Sequence, residues 1–297
     1  MADRQKDKAA KPDAKGAKAA ATTRPDLATI LGLFIAVGGI VGGLILEGGH
    51  VNEILAPTAA IIVLGGTFGA VLVTTPLNVA IAAMKAFGDI FLEKTSPPEK
   101  AIDEIVEYAV KARKNGIVSL ENEALEIKDP FLRKAMNLAV DGTDLQELRK
   151  MMELEIEIEE HHVEAQAKVF EGAGGYAPTI GIIGAVLGLI QVMKDLADIE
   201  KVGHGIATAF VATIYGVGFA NVLFLPAGNK IRARAGGRIR LKELMLEGVI
   251  GIVEGLNPKL IRSKLEAYAH SREQDKKAKD KDKKAKEAKP EEAAKPK

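Results

Sequence analysis

"GGYAPTIGIIGAVLGLIQVM", Gly174–Met193, runs for twenty residues without a charge. A bilayer core takes about 20 apolar residues of helix, roughly 30 Å at 1.5 Å per residue. The stretch has that length, yet it carries Pro178, Gly181, Gly184 and Gly188, residues that weaken helices in water. Between helices in lipid there is little hydrophobic drive, and small residues permit the close backbone approach that replaces it. Gly184 and Gly188 stand four apart, and Ala177, Gly181 and Ala185 form a second small-residue row. The reading is a membrane span with a helix-packing face along Gly181, Gly184 and Gly188. Glycines that line a watery path, or let the helix bend, are the alternative. "GAGGYA", Gly172–Ala177, also fits a dinucleotide-loop pattern, but no strand precedes it and a membrane-length helix follows, so that match is rejected.

Three more stretches have span length. Leu27–Leu46 is uncharged. Ile54–Met84 is longer than one span needs, so the crossing is placed at about Ala56–Thr75, with Pro76 onward as its continuation beyond the membrane. Gly205–Asn229 is the fourth. The first run is too long for a signal-peptide core, and "EGGHVNE" after it offers no small-x-small cleavage site. It repeats the small-residue device at Gly38, Gly39, Gly42 and Gly43. Pro178 near the start of span three and Pro226 near the end of span four each remove a ladder hydrogen bond. Their similar depth suggests paired hinges.

The expected class is all-α: a polytopic membrane protein with four transmembrane helices and a helical cytoplasmic domain. The chain divides into a tail over 1–26, spans one and two over 27–84, the cytoplasmic domain over 85–172, spans three and four over 173–229, C-terminal helices over 230–270 and a charged tail over 271–297. Both tails are rich in Lys, Ala, Asp, Glu and Pro, too polar to offset chain entropy by burial, and are expected to be disordered. A basic arm touching anionic lipid is the alternative. Lys and Arg are dense before Leu27, within 85–171 and after Asn229, and sparse in "EGGHVNE" and "KDLADIEKVGH". The positive-inside rule therefore puts both termini in the cytoplasm. A net charge of +1 gives no global field for nucleic acid, and the lack of cysteine excludes disulfide and thiolate chemistry. The absence of Trp, with few aromatics, runs mildly against the membrane reading.

The interiors of the spans lack Asp, Glu, His, Lys and Arg, the groups that usually mark an ion path through lipid. Thr67, Thr179, Thr208, Thr213, Tyr215, Gln191 and Asn221 remain. Hydroxyls orient water but do not titrate near neutral pH. Two readings stay open: a passive scaffold, or one wall of a path whose titrating group comes from a partner subunit.

Between the spans, Ser96, Pro97 and Glu99 read as a capping box opening a helix that ends at Gly116, with an apolar face at Ile102, Ile105, Val106, Ala109 and Val110. Further helices are expected from Ser119, from Pro130, and from a second box at Thr143 and Gln146, the last long enough to run on toward Pro178. Adjacent His161 and His162 point to different sides of a helix, unlike an i, i+4 metal pair, so no metal is expected. No nucleophile, base and orienting group converge, so neither an enzyme nor a cofactor is expected. Arg113 and Glu121 flank a glycine turn at the facing ends of successive helices. They read as surface charge or as a docking patch.

With "GGYAPTIGIIGAVLGLIQVM", "ATIYGVGFANVLFLPAGNKIR", "RKNGIVSLE" and "LMLEGVIGIVEGLNPKLIRSKLEAYA" in this order, the chain resembles the MotA/PomA family of flagellar-motor stator subunits from about Leu27 to Ala269. It is more distantly similar to the ExbB and TolQ energisers, which have three spans. The resemblance implies an ion-driven torque generator in the bacterial inner membrane, with five copies around a MotB-like partner whose membrane Asp carries the ion. It assigns Pro178 and Pro226 to coupling ion flow to motion, Thr213 to the ion path, and Arg113 and Glu121 to the rotor switch protein FliG. Sodium-type relatives carry threonine where this chain has Ala185, so loss of that oxygen points to protons. An energiser of another envelope process is the alternative, against which the four spans and the Arg113/Glu121 pair count.

Overall fold

The computed structural model describes residues 22–95, 97–194 and 196–269. The described residues are helical but for one ribbon, in which β1 (Thr22–Pro25) pairs antiparallel with β2 (Leu92–Thr95). Residues 22–25 of the stretch read as a tail thus lie in a strand. The Asp26 backbone N–H donates to the Phe91 carbonyl at 2.9 Å, and the Asp26 carboxylate caps the next helix through Ala28 and Thr29. The rest of that tail, 1–21, and the C-terminal tail, 271–297, lie outside the described residues.

Four helical stretches are long and apolar enough to cross a membrane. The first is α1 (Leu27–Leu46). A turn over Val51–Ile54 leads into α2 (Pro57–Thr74), and the second stretch ends where Thr75 turns extended before Pro76. That is the conformation a residue before proline prefers. A separate helix, α3 (Leu77–Asp89), follows and passes the expected boundary at 84/85. The third stretch lies in α7 (Leu145–Lys194), one unbroken helix of 50 residues, about 75 Å long. The fourth combines α8 (Ile199–Gly218), a π-helical turn over Phe219–Phe224, and α9 (Leu225–Val253).

The polar lobe is built from α4 (Pro98–Asn115), α5 (Glu121–Glu126), α6 (Pro130–Val140), the first half of α7, the second half of α9 and α10 (258–269). Its core joins Ile105, Leu120, Phe131, Leu132, Met136, Leu148, Met152, Val249, Ile250, Ile261 and Leu265, all at 2% exposure or less. Each such side chain contributes about 1.5–3 kcal/mol on leaving water. This burial, rather than helix propensity, holds the short helices in place.

Three expected helix starts shift. Ser96 lies outside the described residues; α4 begins at Pro98 with Pro97 in the cap position and no side-chain cap. Instead of a helix from Ser119, a 3₁₀ turn over Ile117–Leu120 leads into α5 at Glu121. For α7 the cap is Asp144 rather than Thr143: its carboxylate accepts from Gln146 N–H at 2.9 Å, and carboxylates cap as well as hydroxyls.

Candidate functional site

The α7–α8 pair forms the closest seam among the spans. A Cβ placed on Gly181 would stand 2.9 Å from the Ala212 carbonyl oxygen and 3.1 Å from Gly216 Cα. One on Gly216 would stand 2.5 Å from the Ala177 oxygen. Gly184 meets the Ala212 methyl at 3.0 Å and Ile62 at 3.4 Å, and Gly188 meets the Ala209 methyl at 3.1 Å. Farther along, Gly174 abuts Leu225 and Gly228 abuts the Ala167 carbonyl. The antiparallel contact thus continues past α8, beyond the π turn and into the start of α9. Backbone is in contact with backbone because neither side carries a methyl there.

The glycines of the first span behave differently. A Cβ on Gly38, Gly39, Gly42 or Gly43 would meet nothing within 4 Å, and α1 buries no residue. Within one chain these four glycines do not pack a helix, contrary to expectation. The sequence shows that a helix could approach; it does not say which helix does.

The two prolines are not a symmetric pair. Pro178 lies inside α7, which continues through it. Glycines at 174 and 175 precede it and let the backbone relax around the missing bond. Pro226 follows the π turn, in which the Leu225 N–H reaches back five residues to the Ala220 carbonyl. Bulky Val222, Leu223 and Phe224 precede that proline, and the widened turn takes up the clash of its ring. Because Gly181 faces Gly216 and Gly174 faces Leu225, Pro178 lies level with the π turn itself. The weakened part of one helix adjoins the widened part of the other.

The polar groups in the bundle divide into satisfied and unsatisfied. The Tyr215 hydroxyl donates to the Ile54 carbonyl at 2.6 Å and accepts from Ala56 N–H at 3.3 Å, tying α8 to the uncapped start of α2. Thr179, Thr208 and Asn221 bond carbonyls of their own helix. The Thr67 hydroxyl is fully buried and without a partner among the described residues, although such a group ordinarily finds one. It lies between Val63, which packs on Val211 and Ala212, and Val71, which packs in the cluster of Ala177, Ala220 and Phe224. That is again the level of Pro178 and the π turn. Sequence reasoning named Thr67 only as one of several available hydroxyls; its burial depends on how α2 seats against the seam. Thr213 is half-buried with no hydrogen-bond partner among the described residues, and Ala185 is half-buried on α7.

Two charge clusters border the spans. Asp26, 10% exposed at its side chain, receives Lys230 at 2.5 Å and Arg234 at 2.7 Å. Arg234 also donates to the Asp89 carbonyl at 2.6 Å and to that of Leu92. The Lys230 ammonium, against the opposing cost of burial and helped by Arg234, holds the Asp26 carboxyl far below its usual range. Between those two cations in sequence, and so on the other face of α9, Arg232 bonds Glu164 through Nε at 2.6 Å and a terminal nitrogen at 2.8 Å, and bonds both oxygens of Glu171. Arg232 holds both glutamates below the carboxylate range against partial burial. Further along, Lys242 reaches Glu159 at 2.5 Å and Arg149 reaches Glu247 at 3.0 Å. The antiparallel rods α7 and α9 are thereby cross-linked from the spans into the polar lobe.

At the far end of that lobe, Arg113 is in the last turn of α4 and Glu121 is the first residue of α5. Both are exposed, and neither forms an ion pair among the described residues. The junction is held instead by Lys111, which bridges Glu107 at 3.0 Å and Glu123 at 2.8 Å. No cluster of three metal-ligating side chains occurs among the described residues.

Two family models match the chain: "Motility protein A N-terminal" over residues 30–115, and "MotA/TolQ/ExbB proton channel family" over 123–244. Motility protein A of Bacillus subtilis (strain 168) is 34% identical over 269 residues, 90% of this chain and 100% of that protein. The structure of C. jejuni MotAB superimposes with a TM-score of 0.78 at 33% identity, covering 82% of this chain and 95% of that one. The flagellar MotAB stator complex of Bacillus subtilis does so with a TM-score of 0.75 at 34% identity, over 81% and 95%. A seam of touching backbones, a membrane-crossing rod and two matching halves converge on one conclusion: the chain belongs to the MotA/TolQ/ExbB proton channel family, in its motility protein A branch.

Proposed function

We propose that the chain is the stator subunit of a flagellar motor, coupling inward proton flow to torque on a rotor. One observation carries the coupling: the interiors of the spans hold no Asp, Glu, His, Lys or Arg, while the buried Thr67 hydroxyl lies level with Pro178 and with the π turn before Pro226. Such a wall guides an ion and cannot bind it by titration. The acid comes from a MotB-like subunit; the solved relatives are MotAB assemblies, which supports this reading.

In this scheme both termini are cytoplasmic, and five copies form a ring in the inner membrane. The glycine face of α1 and the exposed apolar faces of the spans lie against lipid and neighbouring copies. Protonation of the partner's acid lets the ring advance one step, with Pro178, Pro226, Thr213 and Ala185 beside the path. One elementary charge crossing 100 mV supplies about 2.3 kcal/mol, so torque accumulates over many ions. The clamped pair α7 and α9 carries it to Arg113 and Glu121, whose free charges engage the rotor protein FliG. Those unpaired charges and the four spans favour a motor over an ExbB/TolQ-like energiser.

Co-reconstitution in liposomes tests the scheme. Proton flux is expected only when this chain and its single-span partner are both present. Selective proton conduction by this chain alone would overturn it.

A further inference from the structure

A cavity of about 390 Å³ opens beside Arg113. Ala109 and Ala112 of α4, Ile117, Ala139 of α6, and Val253 and Leu256 at the end of α9 form its apolar walls. Small side chains give it depth. Its rim is set by helix ends: Gly142 after α6 and Gly255 after α9 both have positive φ, +75° and +71°, and both line it. Ala109, Ala139 and Ile252 also belong to the buried core of the lobe, so the walls are fixed by packing before anything binds.

We infer that this cavity is a socket for an apolar side chain of the rotor protein, inserted between an acidic group that pairs with Arg113 and a basic group that pairs with Glu121. The inference rests on the stator reading and adds to it an uncharged anchor. Charge complementarity on the page identifies the occupant. Arg113 belongs to the socket wall and Glu121 starts the helix beyond the next turn; both are exposed and unpaired among the described residues, although nearby Lys111 bridges two glutamates. A free cation on the wall of a preformed hollow, with an anion four residues beyond the wall residue Ile117, suits a helix that carries acid, aliphatic and base on one face. Rim charges set encounter rate and salt dependence, and a buried anchor sets residence time.

The test uses the full chain with its membrane partner in motile cells, and the same complex in detergent with purified rotor protein. Ala112→Leu fills the socket from a half-buried wall position. It is expected to weaken rotor-protein binding about tenfold, on the scale of one buried aliphatic group, with unchanged dependence on salt. Arg113→Glu is expected to weaken binding and to flatten its salt dependence. The chain has no cysteine, so Thr143→Cys, on the socket wall, introduces a single thiol that reports occupancy. Rotor protein is expected to slow maleimide labelling of that variant about tenfold, as desolvation at an interface core implies. Normal binding by an assembled Ala112→Leu complex would overturn the socket and leave the stator reading intact. So would unprotected labelling of the Thr143→Cys variant while Arg113→Glu still weakens binding. Failure of the unaltered chain and its partner to support motility would overturn that reading itself. Equal labelling protection by the complex alone, without rotor protein, would assign the socket to a neighbouring copy and also overturn the inference.

Discussion

Gly216 shows how little room a residue-scale argument has here. A methyl at that position meets the Ala177 carbonyl oxygen at 2.5 Å, which is backbone and cannot step aside. Gly216→Ala is therefore expected to force α7 and α8 apart and cost about 1–3 kcal/mol, the usual penalty of overpacking. Gly218, two residues on, meets nothing within 4 Å, and Gly218→Ala is expected to be tolerated. Thermal unfolding of the two variants in detergent checks the contrast; equal melting temperatures would contradict the seam. The sequence alone does not separate these glycines, because a small residue at membrane depth reads identically whether it faces a helix or open space. Asp26 carries a second residue-scale prediction. It caps α1 and neutralises Lys230 and Arg234, whose own side chains stay 32% and 20% exposed. Asp26→Ala leaves two cations facing each other; solvent screens part of the repulsion, and the lost charged hydrogen bonds are expected to cost about 1–3 kcal/mol. Protease accessibility around residues 22–30 should rise in that variant while the polar lobe stays folded.

Elements were legible where length and composition suffice. Four uncharged runs of span length announce four crossings, and proline after Thr75 announces the end of the second. Helix starts were less legible because several residues can serve as a cap: Thr143 and Asp144 stand side by side, and only the geometry chooses Asp144. The π turn was not legible at all. It depends on what precedes Pro226, whereas Pro178 sits after glycines and leaves α7 unbroken. Pro226→Ala restores an N–H and removes the ring, so the turn over Phe219–Phe224 is expected to tighten to α-helix. Amide exchange over 219–230 should then slow and coupling should fall; unchanged exchange would show that the turn has another cause. The clamp between the rods yields a pH prediction. Glu164 and Glu171 are held below their unfolded value by Arg232, so their stabilisation is complete above the ordinary carboxylate range and is lost as pH falls through the folded value. Melting temperature is expected to stay level down to about pH 5 and to decline below about pH 4. Arg232→Gln should shrink that decline. The change is modest, because both glutamates are more than a third exposed and solvent screens them.

At the scale of the whole molecule, the proposed coupling turns on which ion the wall admits, and here the chemistry is one of counted oxygens. Sodium crossing lipid gives up water and needs oxygens placed to replace it. A proton needs only an acid and a hydrogen-bonded route to it. Along α7 the candidate position is Ala185, which offers no oxygen, and across the seam Thr213 offers one hydroxyl without a partner among the described residues. That one hydroxyl beside residue 185, with the buried Thr67 hydroxyl about two turns away at the level of Pro178, supports water and does not make a cage for a bare cation. The seam leaves little space to recruit more, since Gly184 is already in contact with Ala212 and Ile62. The native chain with its partner is therefore expected to drive swimming at full speed in medium free of sodium, and speed should follow the proton-motive force. Ala185→Thr alone should leave this unchanged, because the second oxygen it adds still falls short of a dehydrated ion's demand. Only with matching changes in the partner's helix should a sodium requirement emerge. Swimming speed measured across sodium concentrations at constant pH decides it. A native motor that stalls without sodium would mean that the partner supplies the whole cage, and the missing oxygen at residue 185 would then say nothing about ion choice.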